Sequence, residues 1–83
     1  MTDDELAELI KSTLTGVAPD IEGEEFDPDE TFREQFEIDS MDFLNFVIAL
    51  HKATGVEIPE ADYPQLQTLS GAIAYMKSHG KGD

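Results

Sequence analysis

The chain has 83 residues, no cysteine, and 19 acidic against 5 basic residues, which gives a formal net charge of −14. A chain of this length forms one domain with a small core. Its negative charge argues against a nucleic-acid backbone or an anionic lipid surface as a partner, because both are bound through clustered Lys and Arg side chains. Basic protein surfaces are the expected partners. The lack of cysteine excludes disulfides and thiolate metal sites.

The distribution of charged and apolar residues argues against export or membrane insertion. The first ten residues are acidic where a secretory signal would be basic, and the longest apolar run is FVIAL at 46–50. A membrane-spanning helix needs about 20 apolar residues. We therefore expect a cytoplasmic protein without membrane insertion.

A first amphipathic helix is predicted over residues 3–15. Thr2 and Glu5 have the spacing of a capping box. Apolar side chains follow at helical intervals, at Leu6, Leu9, Ile10 and Leu14. Gly16 is expected to end this helix in a left-handed conformation.

Residues 17–38 form a connection that is too long to lack structure in a compact domain. Asp27 can cap a short helix, Pro28 suits its first position, and Glu30 has the capping-box spacing. Five apolar side chains are expected to hold the connection against the core: Ile21, Phe26, Phe32, Phe36 and Ile38.

The second long helix is predicted from about Ser40 to Thr54, with Gly55 as its end. Its apolar side chains cover more than half of the helix circumference, which predicts that it is the central helix of the domain. These side chains are Phe43, Leu44, Phe46, Val47 and Leu50.

One stripe of this helix alternates apolar and polar residues on the side expected to face solvent. We call it the docking stripe, and it consists of Met41, Asn45, Ile48 and Lys52. Exposed apolar residues in a row are typical of a docking surface, so we interpret the stripe as partner-binding, with Asp42 at its edge. The alternative is that Met41 and Ile48 pack under the long connection.

The last third of the chain predicts a short turn and a third long helix. Pro59 opens the turn and Pro64 is expected to close it, because proline disfavours helix in the residue before it. Thr68 is expected to cap the last helix. The apolar face of that helix comprises Leu69, Ile73 and Met76.

These elements predict an all-α fold, a small bundle of three longer helices and one or two short ones. The domain is expected to cover residues 1–79, followed by a disordered tail at 80–83.

Ser40 stands between two aspartates at the first turn of the second helix. Unpaired backbone N–H groups and the positive end of the helix dipole favour an attached phosphate there. The alternative is purely structural: Asp39 or Ser40 caps the helix, and Asp42 compensates its dipole. Spacing alone favours this structural role.

The residues DSM at 39–41, leading into an apolar helix, resemble the Asp-Ser-Leu motif of the acyl carrier proteins. The resemblance continues through FREQFEIDSMDFLNFVIAL, GVEIPEADY and TLSGAIAYMKSH, with an acidic first helix ahead of them. It implies that Ser40 is esterified by 4′-phosphopantetheine from coenzyme A, which we call the arm, and that acyl groups travel on it as thioesters. It further implies that Asp39 helps a synthase to present Ser40, that Met41 lies beside the base of the arm, and that the chain has no catalytic residues.

The same resemblance implies the partners. They would be a holo-acyl carrier protein synthase or phosphopantetheinyl transferase, and acyl-activating, acyltransferase or synthase enzymes with basic docking surfaces. We expect a monomeric carrier. Phe43 and Phe46 put bulk where an acyl chain would enter the bundle, which favours short or unusual cargo.

The sequence departs from the family pattern at two places. Phe36 and Glu37 replace a Leu-Gly pair before the Asp-Ser, and Asn45, His51 and Lys52 replace acids on the second helix. These departures favour a specialised carrier with dedicated partners over the housekeeping carrier of fatty-acid synthesis.

Other functions fit the residues less well. His51 lies eleven residues beyond Ser40 on one helix, about 16 Å of rise, so it cannot act as the base of a serine hydrolase. We interpret both His51 and His79 as simple surface residues. Phe32 and Ile38 stand where a calcium loop requires glycine and glutamate, so we expect no metal site. The remaining rival is an acidic helical interaction module in which Ser40 is only a helix cap.

Overall fold

The computed structural model describes residues 2–79, and the tail expected at residues 80–83 lies outside the described residues. The described residues form helices and connections without a β-strand. The α-helices are α1 (Asp3–Val17), α2 (Phe32–Phe36), α3 (Ser40–Thr54) and α4 (Leu69–His79). Two segments are 3-10 helix, Pro19–Ile21 and Glu60–Leu66, and we call the second one the bridging helix. The predicted all-α bundle with three longer helices is confirmed, with one more short segment than expected.

Helix α1 begins as predicted and ends later. The Thr2 hydroxyl accepts the Glu5 N–H at 3.1 Å, and the Thr2 N–H donates to the Glu5 carboxylate at 2.8 Å. The prediction that Gly16 ends the helix is wrong, because the helix continues through Val17 and the glycines with positive φ lie elsewhere. Pro19 explains the later end, since its ring disfavours a helical conformation in the residue before it.

The core lies where α1 packs against α3 and α4. The prediction that α3 is the central helix is wrong. The helix whose backbone packs closely against both other long helices is α1. Leu44 was expected on the buried face of α3 but is 39% exposed. The buried residues of α3 are Phe46, Val47 and Leu50. None of the helices in residues 2–79 is long and apolar enough to cross a membrane.

Thr31, and not Asp27, caps α2. The Thr31 hydroxyl accepts a backbone N–H of the first turn at 3.1 Å, whereas the Asp27 carboxylate accepts the Asp29 N–H at 2.9 Å in a local turn. Both side chains are good caps. Tertiary structure selects Thr31, because the Phe32 ring is buried and the Phe32 N–H donates to the carbonyl of Gln67 at 2.8 Å.

The five apolar anchors predicted in the connection are confirmed. Three of them are buried, Ile21, Phe32 and Ile38, and two are partly buried against the core, Phe26 and Phe36. The ring of Phe26 meets that of Phe36 edge-on at 4.8 Å, and Phe32 meets Phe46 of α3 at 5.6 Å. Edge-to-face aromatic pairs add roughly 0.5–1.5 kcal/mol beyond area burial, so the connection is fastened directly to α3.

The bridging helix and α4 are joined through Tyr75. The Tyr75 hydroxyl donates to the Asp62 carboxylate at 2.8 Å and lies 3.3 Å from the carbonyl of Glu57. Burial, with the hydrogen bond to Asp62 and its negative charge, raises the pKa of Tyr75 to about 12. The prediction that Pro64 closes the turn is wrong, since the bridging helix continues to Leu66. Pro64 lacks a backbone N–H, so it removes one hydrogen bond from this 3-10 helix without ending it.

Helix α4 follows the prediction at its start. The Thr68 hydroxyl accepts the Gly71 N–H at 3.0 Å. Leu69 and Met76 are buried and Ile73 is half-buried. The buried side also includes Ala72 and Tyr75, which the predicted apolar face omitted.

Glu37 is the non-glycine residue with positive φ among residues 2–79, at φ 54° and ψ 38°. For a residue with a side chain, this left-handed backbone conformation costs about 1 kcal/mol or more of conformational free energy. We expect Glu37→Gly to be more stable to urea than Glu37→Gln by about 0.5–1 kcal/mol, after the entropic cost of glycine is counted. Both variants remove the same charge, so equal stabilities would show that the backbone at Glu37 is unstrained.

Candidate functional site

Ser40 is the first residue of α3 and is exposed. Its hydroxyl has no hydrogen-bond partner among residues 2–79. The cap of α3 is Asp39, whose carboxylate accepts the Asp42 N–H at 2.9 Å and whose carbonyl accepts the Phe43 N–H at 3.0 Å. The capping role that the sequence left open therefore belongs to Asp39, and the Ser40 hydroxyl is not needed for it.

The chain that leads into Ser40 is fixed on both sides. Ile38, two residues earlier, is 4% exposed and belongs to the core. Glu37 ends α2 in a left-handed backbone conformation, three residues before Ser40. Phe46, six residues beyond Ser40, is fully buried. An exposed serine is thus held between buried anchors, which limits the motion of its backbone.

A pocket of about 310 Å³ opens beside Ser40 between α2, α3 and the bridging helix. We call it the serine pocket. Its apolar lining comprises Phe32, Ile38, Phe43, Leu44 and Tyr63, and its polar lining comprises Arg33, Asp39, Ser40, Glu60 and Gln67. This volume lies at the lower end of the range for ligand pockets, roughly 300–1,000 Å³. The site therefore combines an exposed hydroxyl that makes no hydrogen bond within residues 2–79 with a small, mostly apolar recess.

The docking stripe faces solvent. Met41 is 66% and Ile48 is 42% exposed, and Asn45 and Lys52 are also exposed. The alternative in which Met41 and Ile48 pack under the connection is therefore wrong. Leu44 adds a further exposed apolar side chain on α3. The stripe begins one residue after Ser40, so a protein that reaches the serine would meet it.

Neither histidine lies at the serine pocket. His51 was expected to be a simple surface residue but is half-buried, with Nδ1 2.7 Å from the carbonyl of Val56 and Nε2 3.9 Å from the Glu57 carboxylate. His79 is exposed and stacks on the Tyr75 ring at 4.1 Å. Each imidazole ring thus contacts residues near the C-terminal end of its own helix. In the described part of the chain, no imidazole lies at Ser40.

Two structural features were not predicted from the sequence. Gln35 binds the backbone of the connection through three hydrogen bonds, accepting from the Asp27 N–H and donating to the carbonyls of Asp27 and Glu30 at 2.8–2.9 Å. Arg33 lines the serine pocket. The sequence shows Arg33 as the one cation within an acidic segment, but it does not predict that Arg33 lies at the pocket.

Fold and site together define a class of protein. A small acidic helical domain presents one unbonded serine at the start of a fixed helix, beside a recess and an exposed apolar stripe, with no imidazole at the serine in its described part. This arrangement suits a domain that bears an attached group and presents it to other proteins. The residues fit a phosphopantetheine arm, because the hydroxyl is unengaged and open space adjoins it.

Comparison with known proteins gives the same class. The family model described as the phosphopantetheine attachment site matches residues 4–76. The acyl carrier protein of Lactobacillus johnsonii is 37% identical over 59 residues, covering 71% of this chain and 74% of that protein. The acyl carrier protein of Renibacterium salmoninarum is 32% identical over 73 residues, covering 88% and 84%. The meromycolate extension acyl carrier protein of Mycolicibacterium aurum is 31% identical over 72 residues, covering 87% and 69%.

The chain therefore belongs to the acyl carrier protein family. Its domain is the one on which members of this family bear 4′-phosphopantetheine.

The division of roles between Asp39 and Ser40 predicts how each contributes to stability. Asp39→Ala should lower the free energy of unfolding by about 1 kcal/mol through loss of the cap. Ser40→Ala should change it by less than about 0.5 kcal/mol, because the hydroxyl makes no hydrogen bond. Asp39→Asn is the control that removes the charge and keeps a capping side chain. Urea denaturation measures all three, and a loss at Ser40→Ala as large as that at Asp39→Ala would contradict the assignment of the cap.

Proposed function

We propose that Ser40 is the residue esterified by 4′-phosphopantetheine and that the domain, over residues 1–79, shuttles acyl thioesters between enzymes in the cytoplasm as a monomer. The observation that carries this proposal is the free, exposed Ser40 hydroxyl at a helix start already capped by Asp39. When bound, the arm supplies the thiol that the cysteine-free sequence lacks.

The residues around Ser40 have distinct tasks in this proposal. Asp39 fixes the first turn of α3 and thereby the direction in which Ser40 projects. Met41, which is largely exposed, lies next to the base of the arm and offers contact area to the transferase. The chain itself acts by orienting and presenting the arm, and its partners perform the chemistry. A role of Ser40 as a cap alone is less well supported, because Asp39 already provides the cap.

The cargo that best fits the serine pocket is short or unusual. Phe46 is fully buried and packs against Phe32 and Phe43 of the pocket lining, at ring-centroid distances of 5.6 and 6.1 Å. The space behind the lining is therefore filled by aromatic rings. A long straight acyl chain would have to displace them at a cost of several kcal/mol.

The partners in this proposal dock on α3. The exposed apolar members of the docking stripe supply contact area, while Asp39 and Asp42 at its edge attract a basic surface. Asn45 and Lys52 lower the negative charge of this face, which supports dedicated partners and a specialised pathway. The similarity to a protein named as a meromycolate extension acyl carrier protein also supports a specialised pathway.

Modification of the purified apo-protein tests the proposal. Incubation with coenzyme A and a broad-specificity phosphopantetheinyl transferase should add the mass of one phosphopantetheinyl group to the wild type and none to Ser40→Ala. Ser70→Ala is the matched control, since Ser70 is also exposed near a helix start, and it should be modified like the wild type. Modification of Ser40→Ala, or an unmodified wild type, would refute the assignment.

The charge of the docking stripe predicts transferase preference. Asn45→Glu with Lys52→Glu should raise the rate of modification by a synthase specific for fatty-acid carriers roughly 3- to 10-fold at low salt, and the gain should fade as salt rises. His51 is left in place because of its contact with Val56.

The control for this rate measurement is Lys77→Glu with Ser78→Glu on α4, which changes the net charge by the same amount away from the docking stripe. An equal gain in the control would show that total charge, and not the docking stripe, governs the rate.

A further inference from the structure

Arg33 has an unusual environment. Ten of the nineteen acidic residues lie between Asp20 and Asp39, and Arg33 is the one basic residue in that segment. Its side chain is exposed, and it forms no ion pair or hydrogen bond with residues 2–79. An arginine among so many carboxylates would be expected to pair with one of them. It lines the serine pocket instead, together with Ser40.

The other basic residues of the described chain are engaged or remote. The Lys11 ammonium lies over the Phe26 ring at 5.7 Å, and Lys77 pairs with Asp3 at 3.0 Å. Lys52 is twelve residues beyond Ser40 on α3, about 18 Å along the helix. Among residues 2–79, Arg33 is therefore the cation that lines the pocket beside the serine.

A phosphodiester on Ser40 would add negative charge to surroundings that are already acidic. Asp39 and Asp42 flank the serine, and Glu60 belongs to the lining of the same pocket. The positive end of the α3 dipole compensates the phosphate charge less than the end of an uncapped helix would, because the Asp42 N–H already donates to the Asp39 carboxylate. Besides the first-turn N–H groups of Ser40 and Met41, for which the structure shows no partner among residues 2–79, a side-chain cation is a further source of compensation.

We propose that Arg33 is the counter-charge of the phosphodiester that joins the arm to Ser40, and that it holds the base of the arm at the mouth of the serine pocket. This inference rests on the proposed function of Ser40. The guanidinium group suits this role because its planar set of N–H donors can bind two phosphate oxygens at once. Arg33 acts as a positioning residue, since no bond to it forms or breaks.

The test compares apo- and holo-proteins in a thermodynamic cycle. Wild type, Arg33→Gln and Lys77→Gln are each modified to completion with excess transferase, checked by intact mass, and melted at low ionic strength beside their apo forms. Lys77→Gln is the control, because it removes one positive charge at a site that is not part of the serine pocket. The quantity compared is the melting temperature of the holo form minus that of the apo form.

In Arg33→Gln this difference should be lower than in the wild type by about 1–5 °C, the size expected for one exposed ion pair in a domain of this length. Lys77→Gln should give the wild-type difference, and about 1 M salt should abolish the Arg33 effect. The ³¹P chemical shift of the holo-protein should likewise move in Arg33→Gln and stay constant in Lys77→Gln.

Two results would overturn the role of Arg33 while Ser40 is still modified. One is an equal difference between holo and apo forms in Arg33→Gln and the wild type. The other is an equal loss in both variants, which would indicate a general effect of net charge. If intact mass shows no modified wild-type protein, the proposed function itself fails, and the role of Arg33 fails with it.

Discussion

The hydrogen bond from the Asp42 N–H to the Asp39 carboxylate makes Asp39 the cap of α3 and leaves the Ser40 hydroxyl without a capping role. A helix leaves its first four N–H groups without internal partners, and a short polar side chain at the cap satisfies one of them, worth about 1 kcal/mol. Had Ser40 been that cap, its modification would compete with helix stability. With the cap one residue earlier, the Ser40 hydroxyl is unbonded and exposed. The helix cap and the exposed, unbonded hydroxyl thus belong to neighbouring residues, Asp39 and Ser40.

The position of this cap depends in turn on the connection before it. Ile38 is buried directly ahead of Asp39, and the Phe32 ring lies against Phe46 inside the bundle. Gln35 closes the preceding loop through its three hydrogen bonds to the backbone. The same packing places α2 beside α3 and so creates the recess next to the serine. The same core contacts therefore determine the direction in which Ser40 projects and the shape of the pocket beside it.

The parts of this arrangement that could be predicted are those encoded locally. The bounds of α3 followed from its apolar pattern and from Gly55, which adopts the expected left-handed conformation at φ 74°. The start of α2 was wrongly predicted at Asp27, because Asp27 and Thr31 are both good caps and only the docking of α2 selects Thr31. The bonds of Gln35 and the place of Arg33 beside the pocket depend on tertiary contacts, which carry no sequence periodicity. The family motif predicted Ser40 as the attachment site, whereas the recess beside it depends on how α2, α3 and the bridging helix pack.

Amide hydrogen exchange at Asp42, measured by NMR in the apo- and holo-proteins, tests the central claim most directly. If Asp39 caps α3 before modification, the Asp42 N–H should already be protected from exchange in the apo-protein. Attachment of the arm should then change its protection factor by less than about threefold, which is under about 1 kcal/mol in the free energy of opening. An Asp42 amide that exchanges freely in the apo-protein and becomes protected only after modification would contradict the account, because the phosphate would then provide the cap that we assign to Asp39.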